Sequence, residues 1–549
     1  MSFFGATTPE PLEEWEQEEG RYISASLSNL SQRHKMILLL SVALVTAIEL
    51  SNRISINVLL PDMQGNVAAD SDEISWVVIL YNLGFLCSLA LASWMTRVIG
   101  ARRHLLSSIA LYSVGAFGCF LSSHSLELLL TSRIIMGFGG GAFLVRAVIL
   151  ARLMFPGKEQ AFALSCLYGV VYAFEFVYPV AMGSISDQLH WNYAFLLDFP
   201  FLAIGAFLIV KIIPPGFLFR RKRTKVDLWG AALLITALAC LQTATSRGER
   251  DLWFETPWIT ITILAALICF IAFLWWDSRL ANESPVFHLR TIFRHAGLRA
   301  SFGTVLIVGG ILGASLFVLP QYLRYVQDYS ATQTGAFISV YTLGLGVGLL
   351  TAVNLITPRL GGPRTLALGL LLTIATCALF VYIWTPTTPA KILVPAIFFQ
   401  GFSLGFVLRG ASTVALAGTL PVDVNDVSTA FFFLRQLGNT FGVTVVTVMF
   451  DHRMTFHSSR ILDVANRLDP ILRSTLAQYA TLIHRNGGSS SNPALGALQL
   501  FQVNVIRQSR LLSYIDIYLL LAVLAGLGLL LLAVSRVKNK PCPPHFHGC

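Results

Sequence analysis

The sequence predicts an all-α integral membrane protein that crosses the bilayer many times. Its mean hydropathy is +0.68, and 55% of its residues are hydrophobic while only 12% are charged. Apolar runs of about 20 residues, each long enough to span a hydrocarbon core of roughly 30 Å, recur along the chain. A soluble chain of 549 residues would instead divide into domains with charged surfaces, so this composition excludes that class.

Fourteen apolar segments are interpreted as membrane-spanning helices. Several of them are rich in glycine, which membrane helices tolerate where their neighbours pack closely. The segments cover residues 36–60, 74–96, 104–122, 127–151, 160–185, 193–213, 228–246, 257–276, 300–323, 332–357, 364–385, 391–419, 427–450 and 512–535.

The charge of the loops predicts the orientation of the chain. The loops after the second and sixth spans contain "RVIGARRH" and "FRRKRTK", whereas those after the first, third and fifth spans contain no Lys or Arg. Because positive loops stay in the cytoplasm, both termini are expected there. The net charge of +10 therefore reflects topology, and no nucleic-acid partner is predicted.

Residues 451–511 form a long segment on the external side. Long segments are translocated largely regardless of their charge, so the arginines here do not contradict the orientation. The helical periodicity of "SSRILDVANRLDPILRSTLAQYATLI" predicts one or two amphipathic external helices rather than a missed span.

The pattern of ionisable residues favours a transporter. No nucleotide-binding motif and no concentrated set of catalytic side chains is present, so an enzyme is not predicted and no cofactor is expected. Ionisable residues at membrane depth instead indicate a transport or proton pathway. The C-terminal tail carries Cys542, His545, His547 and Cys549, but their spacing is not a standard zinc arrangement, and no metal site is predicted.

Two stretches, "RIIMGFGGGAFLVRA" at 133–147 and "YGVVYAFEFVYPVAMG" at 168–183, carry a family resemblance. The chain resembles the major facilitator superfamily, and within it the fourteen-helix drug:proton antiporters of the EmrB/QacA type. The resemblance implies two six-helix bundles at 36–213 and 300–535, and a linker with a two-helix insert at 214–299. Residues 1–35 and 536–549 are then cytoplasmic tails.

The fourth-helix motif of this family, R-x-x-x-G-x-G-x-G, matches at Arg133, Gly137, Gly139 and Gly141. The resemblance links its arginine to proton coupling. The alternative is that Arg133 only holds helices together.

The fifth-helix motif, which ends G-P-x-x-G-G in the family, keeps Pro179 and Gly183 and implies export. Its first glycine is replaced by Tyr178, and its penultimate glycine by Met182.

The first helix departs from the family pattern at its acid. Asn52 stands at the position of the family's acid, and the nearest acid is Glu49, about 4.5 Å deeper along the helix. Glu49, Arg53 and Asn57 share one face at i, i+4 and i+8, which should line the cavity because a charged pair facing lipid is costly. Glu49 is therefore predicted to have a role in proton coupling, together with Arg53, or in substrate binding; the alternative is a static pair with Arg53.

Two further acids lie in the first half of the chain. Glu175, one turn before the motif proline, is a second candidate for proton coupling with Arg53 and Arg133; the alternative is a fixed pair with Arg133 or Arg146. Asp198 stands where the family has Asn near the start of the sixth span, and it is predicted to be structural.

The loop after the second span also departs from the family pattern. Arg97 occupies the position at which the family has an acid, which argues against a gating role for this loop.

A substrate cavity is predicted between the two halves. The basic excess of its wall favours acidic or zwitterionic substrates as readily as lipophilic cations. The wall residues are predicted to be Asn52, Asn57, Tyr81, Arg146, Tyr172, Arg409 and Arg435.

The resulting hypothesis is a proton-coupled exporter of amphipathic drugs or toxic compounds, located in the bacterial inner membrane and working by alternating access. Two alternatives stay open: an exporter of an anionic or zwitterionic metabolite such as a siderophore or organic acid, and a non-transporting sensor. For a Gram-negative host, the resemblance also implies a periplasmic adaptor and an outer-membrane channel as partners.

Overall fold

A computed structural model of the chain describes ten segments, and all regular secondary structure within them is helical. These segments are 31–69, 71–155, 159–213, 227–248, 251–279, 285–286, 295–420, 423–464, 470–485 and 493–534. The C-terminal residues considered above for metal binding lie outside the described residues.

The helices follow one another in the order that the apolar segments predict. Short 3-10 turns at Trp191–Leu197 and Trp253–Glu255 precede α7 and α9, and a π-helical turn, Ala352–Ile356, joins α11 to α12. The helices are α1 (Gln32–Asn66), α2 (Ser71–Ile99), α3 (Ala101–Leu121), α4 (Leu126–Gly140), α5 (Phe143–Met154), α6 (Glu159–Gln188), α7 (Asp198–Ile212), α8 (Leu228–Arg247), α9 (Pro257–Asp277), α10 (Ala296–Tyr325), α11 (Ala331–Thr351), α12 (Thr357–Leu360), α13 (Gly362–Ile383), α14 (Ala390–Ala415), α15 (Val424–Val464), α16 (Pro470–Arg485) and α17 (Pro493–Val534).

Within the described segments, thirteen helices are long and apolar enough to cross a membrane. Of the fourteen predicted spans, 427–450 has no counterpart among these thirteen; it lies in α15. Its hydropathy is low because Arg435, Gln436, Asn439 and Thr440 lie along its cavity side. The all-helical membrane fold is thus confirmed, while the count of fourteen spans stays a prediction.

Two apolar cores account for most of the packing. The first is built mainly from α1 to α8, and the second from α10 to α17. Helices α8 and α9 pack on each other, and α8 also contacts α2 and α15. The two halves meet chiefly where α6 crosses α11 and where α2 meets α15. A cavity can therefore form between them.

The external segment contains helices, as its periodicity predicts. Helix α15 continues to Val464, and the amphipathic α16 packs against α17. The break "NGGSSSNP" falls almost entirely outside the described residues.

Both antiporter motifs lie where helix backbones approach closely. In α4, a side-chain carbon added at Gly137 would collide with the Tyr81 backbone oxygen, and one at Gly141 with the Phe85 oxygen. In α6, a carbon at Gly183 would lie 2.8 Å from the backbone oxygen of Ala331 in α11. The small residues of these motifs therefore set the helix crossings.

This geometry predicts that Gly137→Ala destabilises the fold by about 1–3 kcal/mol, because α2 and α4 must separate to admit the methyl group. Gly169→Ala in α6 is the matched control, since nothing lies within 4 Å of the added carbon. Alanine there should be neutral or stabilise by up to about 1 kcal/mol. Thermal unfolding in detergent measures the stability of both purified variants. Equal melting temperatures for Gly137→Ala and Gly169→Ala would contradict the close approach of α2 and α4 at Gly137.

Candidate functional site

A cavity of about 800 Å³ lies between the two halves of the chain. Its described wall carries more positive than negative side chains, although its surface is mostly apolar. The charged wall residues are Arg53, Arg133, Arg152, Glu175, Arg409, Arg435 and Asp451.

One face of α1 supplies the acid–base stripe of this cavity. Arg53 and Asn57 line the wall, while Glu49 lies one turn deeper and is fully buried behind them. The face of α1 that carries the residues at i, i+4 and i+8 is thus directed inward, because a charged pair on the opposite face of the helix would contact lipid.

Glu49 and Arg53 form the ion pair that their spacing predicts. The Nε atom of Arg53 lies 3.5 Å from Oε1 of Glu49, and the Tyr81 hydroxyl donates to the same oxygen at 2.8 Å. The second oxygen of Glu49 is buried and has no hydrogen-bond partner among the residues that the structure describes. Space for the acid exists because Gly140 packs directly against its side chain.

Arg53 connects this buried acid to the other half of the molecule. Its guanidinium lies over the Phe85 ring at 4.5 Å and donates to Oε1 of Gln436 on α15 at 3.3 Å. Its side chain is 20% exposed, so it lies between the buried carboxylate and the cavity.

Arg133 has a different set of partners from those expected. It is fully buried and lies over the Tyr81 ring at 4.2 Å. It donates to the Val77 backbone oxygen at 3.3 Å and to Oδ1 of Asn52 at 3.4 Å. These contacts hold α4 against α1 and α2 without a carboxylate in direct contact.

Glu175 lines the cavity without a fixed partner. Its carboxylate makes no hydrogen bond or ion pair with any residue in the described segments, so a fixed pair with Arg133 or Arg146 is absent. Arg53 and Arg435 nevertheless act on it electrostatically, as does the like charge of Glu49.

Asp198 lies at the centre of a buried polar cluster. The Asn52 amide donates to its carboxylate at 3.2 Å, the Tyr112 hydroxyl donates at 3.3 Å, and the Tyr178 hydroxyl donates to its other oxygen. Asn52, Tyr178 and Asp198 are all positions at which the sequence departs from the family pattern. The structure brings the three departures into direct contact, and Asn52 in turn connects them to Arg133.

Most of the residues predicted for the cavity wall lie on it, namely Asn57, Tyr81, Tyr172, Arg409 and Arg435. Asn52 and Arg146 do not. Asn52 is buried in the Asp198 cluster, and Arg146 is buried between α2 and α15, where it donates to Asn425 at 2.6 Å and to the Ala92 backbone oxygen. Arg146 therefore joins the two halves instead of facing the substrate space.

We call the end of the cavity beside the loop that carries Arg102 and Arg103 the basic end. There the two halves are joined by Arg97, whose guanidinium pairs with Asp426 of α15 at 2.7 Å and donates to the Pro285 backbone oxygen at 2.7 Å. The sequence has Arg97 where the family has an acid, and the structure pairs this arginine with an acid in the first turn of α15, in the other half. An acid in the first turn of α15 was the signal that sequence reasoning missed.

The buried contact between Asn52 and Asp198 can be tested by exchanging the acid and the amide. Asn52→Asp alone replaces an amide that donates to Asp198 by a second carboxylate, and we expect a loss of about 1–3 kcal/mol of stability. Adding Asp198→Asn restores an acid facing an amide, so the double variant should recover most of that loss. Melting temperatures of the purified variants measure the effect.

Asn57→Asp is the matched control for this swap, since the same change on the same helix faces the cavity and should cost little. If the double variant is no more stable than Asn52→Asp, the contact between residues 52 and 198 does not account for the loss of stability.

Comparison with known proteins agrees with this architecture. EmrB of Escherichia coli (strain K12), a multidrug export protein, is 23% identical over 454 residues, which are 81% of this chain and 86% of the relative. EmrB of Haemophilus influenzae is 25% identical over 453 residues, covering 80% and 85% of the two chains. The multidrug resistance protein Stp of Mycobacterium tuberculosis (strain H37Rv) is 25% identical over 421 residues, 75% of each chain.

Solved structures share the fold at low sequence identity. A peptide transporter of the POT type superposes with a TM-score of 0.61 at 13% identity, covering 95% of this chain and 99% of the other. The human organic anion transporter MFSD10 (TETRAN) gives a TM-score of 0.54 at 14% identity, covering 92% and 100%. The sequence profile described as the Major Facilitator Superfamily matches residues 42–443, and this chain belongs to that superfamily of transporters.

Proposed function

We propose that the protein is a proton-coupled secondary active exporter of amphipathic small molecules such as drugs or toxic compounds. The observation that carries this proposal is the buried Glu49–Arg53 pair at the cavity wall, which is hydrogen-bonded to the opposite half through Gln436. A carboxylate in this position links its own protonation to a contact between the halves.

The names of the relatives support the direction and the substrate class. EmrB and Stp are named as multidrug export and multidrug resistance proteins, and they match most of this chain. These names favour drug efflux over the export of an endogenous metabolite.

Two observations bear on the sensor hypothesis, which rested on the altered loop and the altered fifth-helix motif. Both departures have structural partners, Arg97 with Asp426 and Tyr178 with Asp198.

Protonation supplies the coupling step in this mechanism. A proton that reaches Glu49 neutralises the carboxylate and removes the Coulomb attraction that holds Arg53. The guanidinium is then free to move with Gln436 as the two halves rock. Glu175 provides a second proton acceptor on the same wall, because it has no fixed partner and responds electrostatically to Arg53. No cofactor is required, since the proton gradient supplies the energy.

The contacts at the basic end fit a closing device for alternating access. Arg97, Asp426, Arg146 and Asn425 join α2 and α5 to α15 there. At the opposite end, Arg324 of α10 lies 3.5 Å from Asp62 of α1. Opening one end in turn requires that its polar contacts exchange partners or become hydrated.

The cellular setting follows from the family and from the loop charges. We place the protein in the bacterial inner membrane with both termini, and therefore the basic end, in the cytoplasm. The continuation of α15, helix α16 and the start of α17 then lie outside, where a periplasmic adaptor leading to an outer-membrane channel would bind in a Gram-negative host.

Glu49→Gln and Glu175→Gln test the coupling in proteoliposomes with an imposed pH gradient. Each glutamine is isosteric but cannot carry a proton, so at least one variant should reduce gradient-driven uptake of an amphipathic dye by about tenfold or more, while exchange of dye in the absence of a gradient persists. Glu127→Gln, an exposed acid in the first turn of α4, is the control. Gradient-driven transport that stays intact in both variants would refute the mechanism.

Removing the Arg97–Asp426 contact should shift the population toward a state open at the basic end. In Arg97→Ala, spin labels introduced at Glu159 and Arg364, one in each half, should show a longer mean distance than in the parent protein. Arg102→Ala is the control, because Arg102 bonds to Val210 within the first half. An unchanged distance distribution in Arg97→Ala would exclude a closing role.

A further inference from the structure

Three arginines of the cavity wall make no hydrogen bond or ion pair within the described segments, namely Arg152, Arg409 and Arg435. Arg435 lies over the Phe432 ring at 5.2 Å, whereas the other two have no such ring contact there. Arg152 ends α5 in the first half, and Arg409 lies on α14 in the second half. Neither guanidinium makes a hydrogen bond or ion pair with any residue in the described part of the chain. In both, the Nε atom is buried as well as unbonded.

Three other arginines near the cavity have polar or charged partners. Arg53 pairs with Glu49, Arg97 pairs with Asp426, and Arg146 donates to Asn425 and a backbone oxygen. Burying a guanidinium without such a partner is costly, because the charge loses its hydration and gains nothing in return. Arg152 and Arg409 are partly buried and line the cavity, which fits a site whose partner arrives with the ligand.

Within the described residues, no acid acts electrostatically on either of the two arginines. The side chains that act electrostatically on Arg152 are those of Arg409 and Tyr168, and Tyr168 also acts on Arg409. The acids of the described wall are Glu175 and Asp451, and Asp451 lies about 37 Å along α15 from Asp426 and the basic end.

A histidine near Arg152 also bears on the local charge. Burial and the Arg152 guanidinium lower the pKa of His295, which lies just outside the membrane-spanning part of α10. His295 is therefore neutral at physiological pH and adds no third cation.

We propose that Arg152 and Arg409, together with the Tyr168 hydroxyl, form a subsite for the anionic group of an amphipathic substrate. A carboxylate, sulfonate or phosphate ester has acceptor oxygens that match the forked donors of two guanidinium groups. The apolar body of the substrate would lie against Tyr172, which stacks on Tyr168 with ring centroids 6.4 Å apart, and against Leu164 and Leu408.

The placement of the pair gives this subsite a mechanical role. Because Arg152 and Arg409 belong to different halves, an anion held by both would draw the halves together at the basic end. This inference rests on the proposed export function for its direction: a substrate entering from the cytoplasm would meet this subsite first.

Binding of a matched pair of probes tests the subsite directly. Pyrene-1-butyrate and the uncharged pyrene-1-butanol share one apolar body, and their fluorescence reports binding to the purified full chain in phosphatidylcholine nanodiscs, with empty nanodiscs subtracted. The parent protein should bind the carboxylate at least about tenfold more tightly than the alcohol, a difference of about 1.4 kcal/mol, because only the carboxylate forms charge-assisted hydrogen bonds with the two guanidinium groups.

Arg152→Gln, Arg409→Gln and the double variant should remove this preference while leaving the affinity for the alcohol within about twofold. Unchanged alcohol binding also shows that the variants are folded. Arg152→Lys and Arg409→Lys keep the charge and should retain part of the preference. Arg364→Gln, at an exposed arginine near the basic end, is the matched control.

Equal affinity of the parent protein for the two probes, or an equal loss of both in the variants, would overturn the subsite. Carboxylate binding that disappears when phosphatidylglycerol is added to the nanodiscs would assign the arginines to a lipid headgroup and overturn the substrate assignment. Because this assay needs neither a proton gradient nor transport, its failure is distinguishable from failure of the proposed function.

Discussion

The cost of placing an ionisable side chain at membrane depth is the constraint on which the rest of this structure depends. In water a guanidinium or carboxylate is solvated at no expense to the fold, but in hydrocarbon it must find a partner or face an aqueous cavity. This constraint turns the Glu49–Arg53 face of α1 inward, directs the polar side of α15 toward the same cavity, and leaves the lipid-facing surfaces apolar. The position of these charges at the cavity thus follows from the cost of exposing a charge to lipid.

The same constraint explains why departures from the family pattern occur together. Moving the acid from position 52 to position 198 leaves a buried carboxylate that needs donors, and Asn52 and Tyr178 supply two of them. Considered one at a time, each change resembles the loss of a motif. In the structure, however, the changes at positions 52 and 198 compensate each other. The acid and the amide have exchanged helices, and the two side chains lie in contact at 3.2 Å.

The arginines around the cavity fall into two groups. Arg53, Arg97, Arg133 and Arg146 have protein partners, and each holds helices or halves in a defined arrangement. Arg152, Arg409 and Arg435 line the cavity and make no hydrogen bond or ion pair with any residue that the structure describes.

The sequence by itself determined the class of protein, its family, the helices and the inward face of α1. These follow from local information: the length of apolar runs, the 3.6-residue period, and motifs within single helices. The glycines of α4 and the Pro179–Gly183 pair could also be assigned to close crossings, because backbone approach requires small residues wherever it occurs.

Only the tertiary structure decided which charges meet. Sequence reasoning placed Arg146 and Asn52 on the cavity wall, offered Arg133 or Arg146 as partners for Glu175, and did not single out Asp426 or Arg152. Pairs such as Arg97–Asp426 and Asn52–Asp198 join residues 329 and 146 positions apart. No periodicity reports such contacts, because the partner of a buried charge depends on how whole helices cross, and that is determined by packing along their entire length.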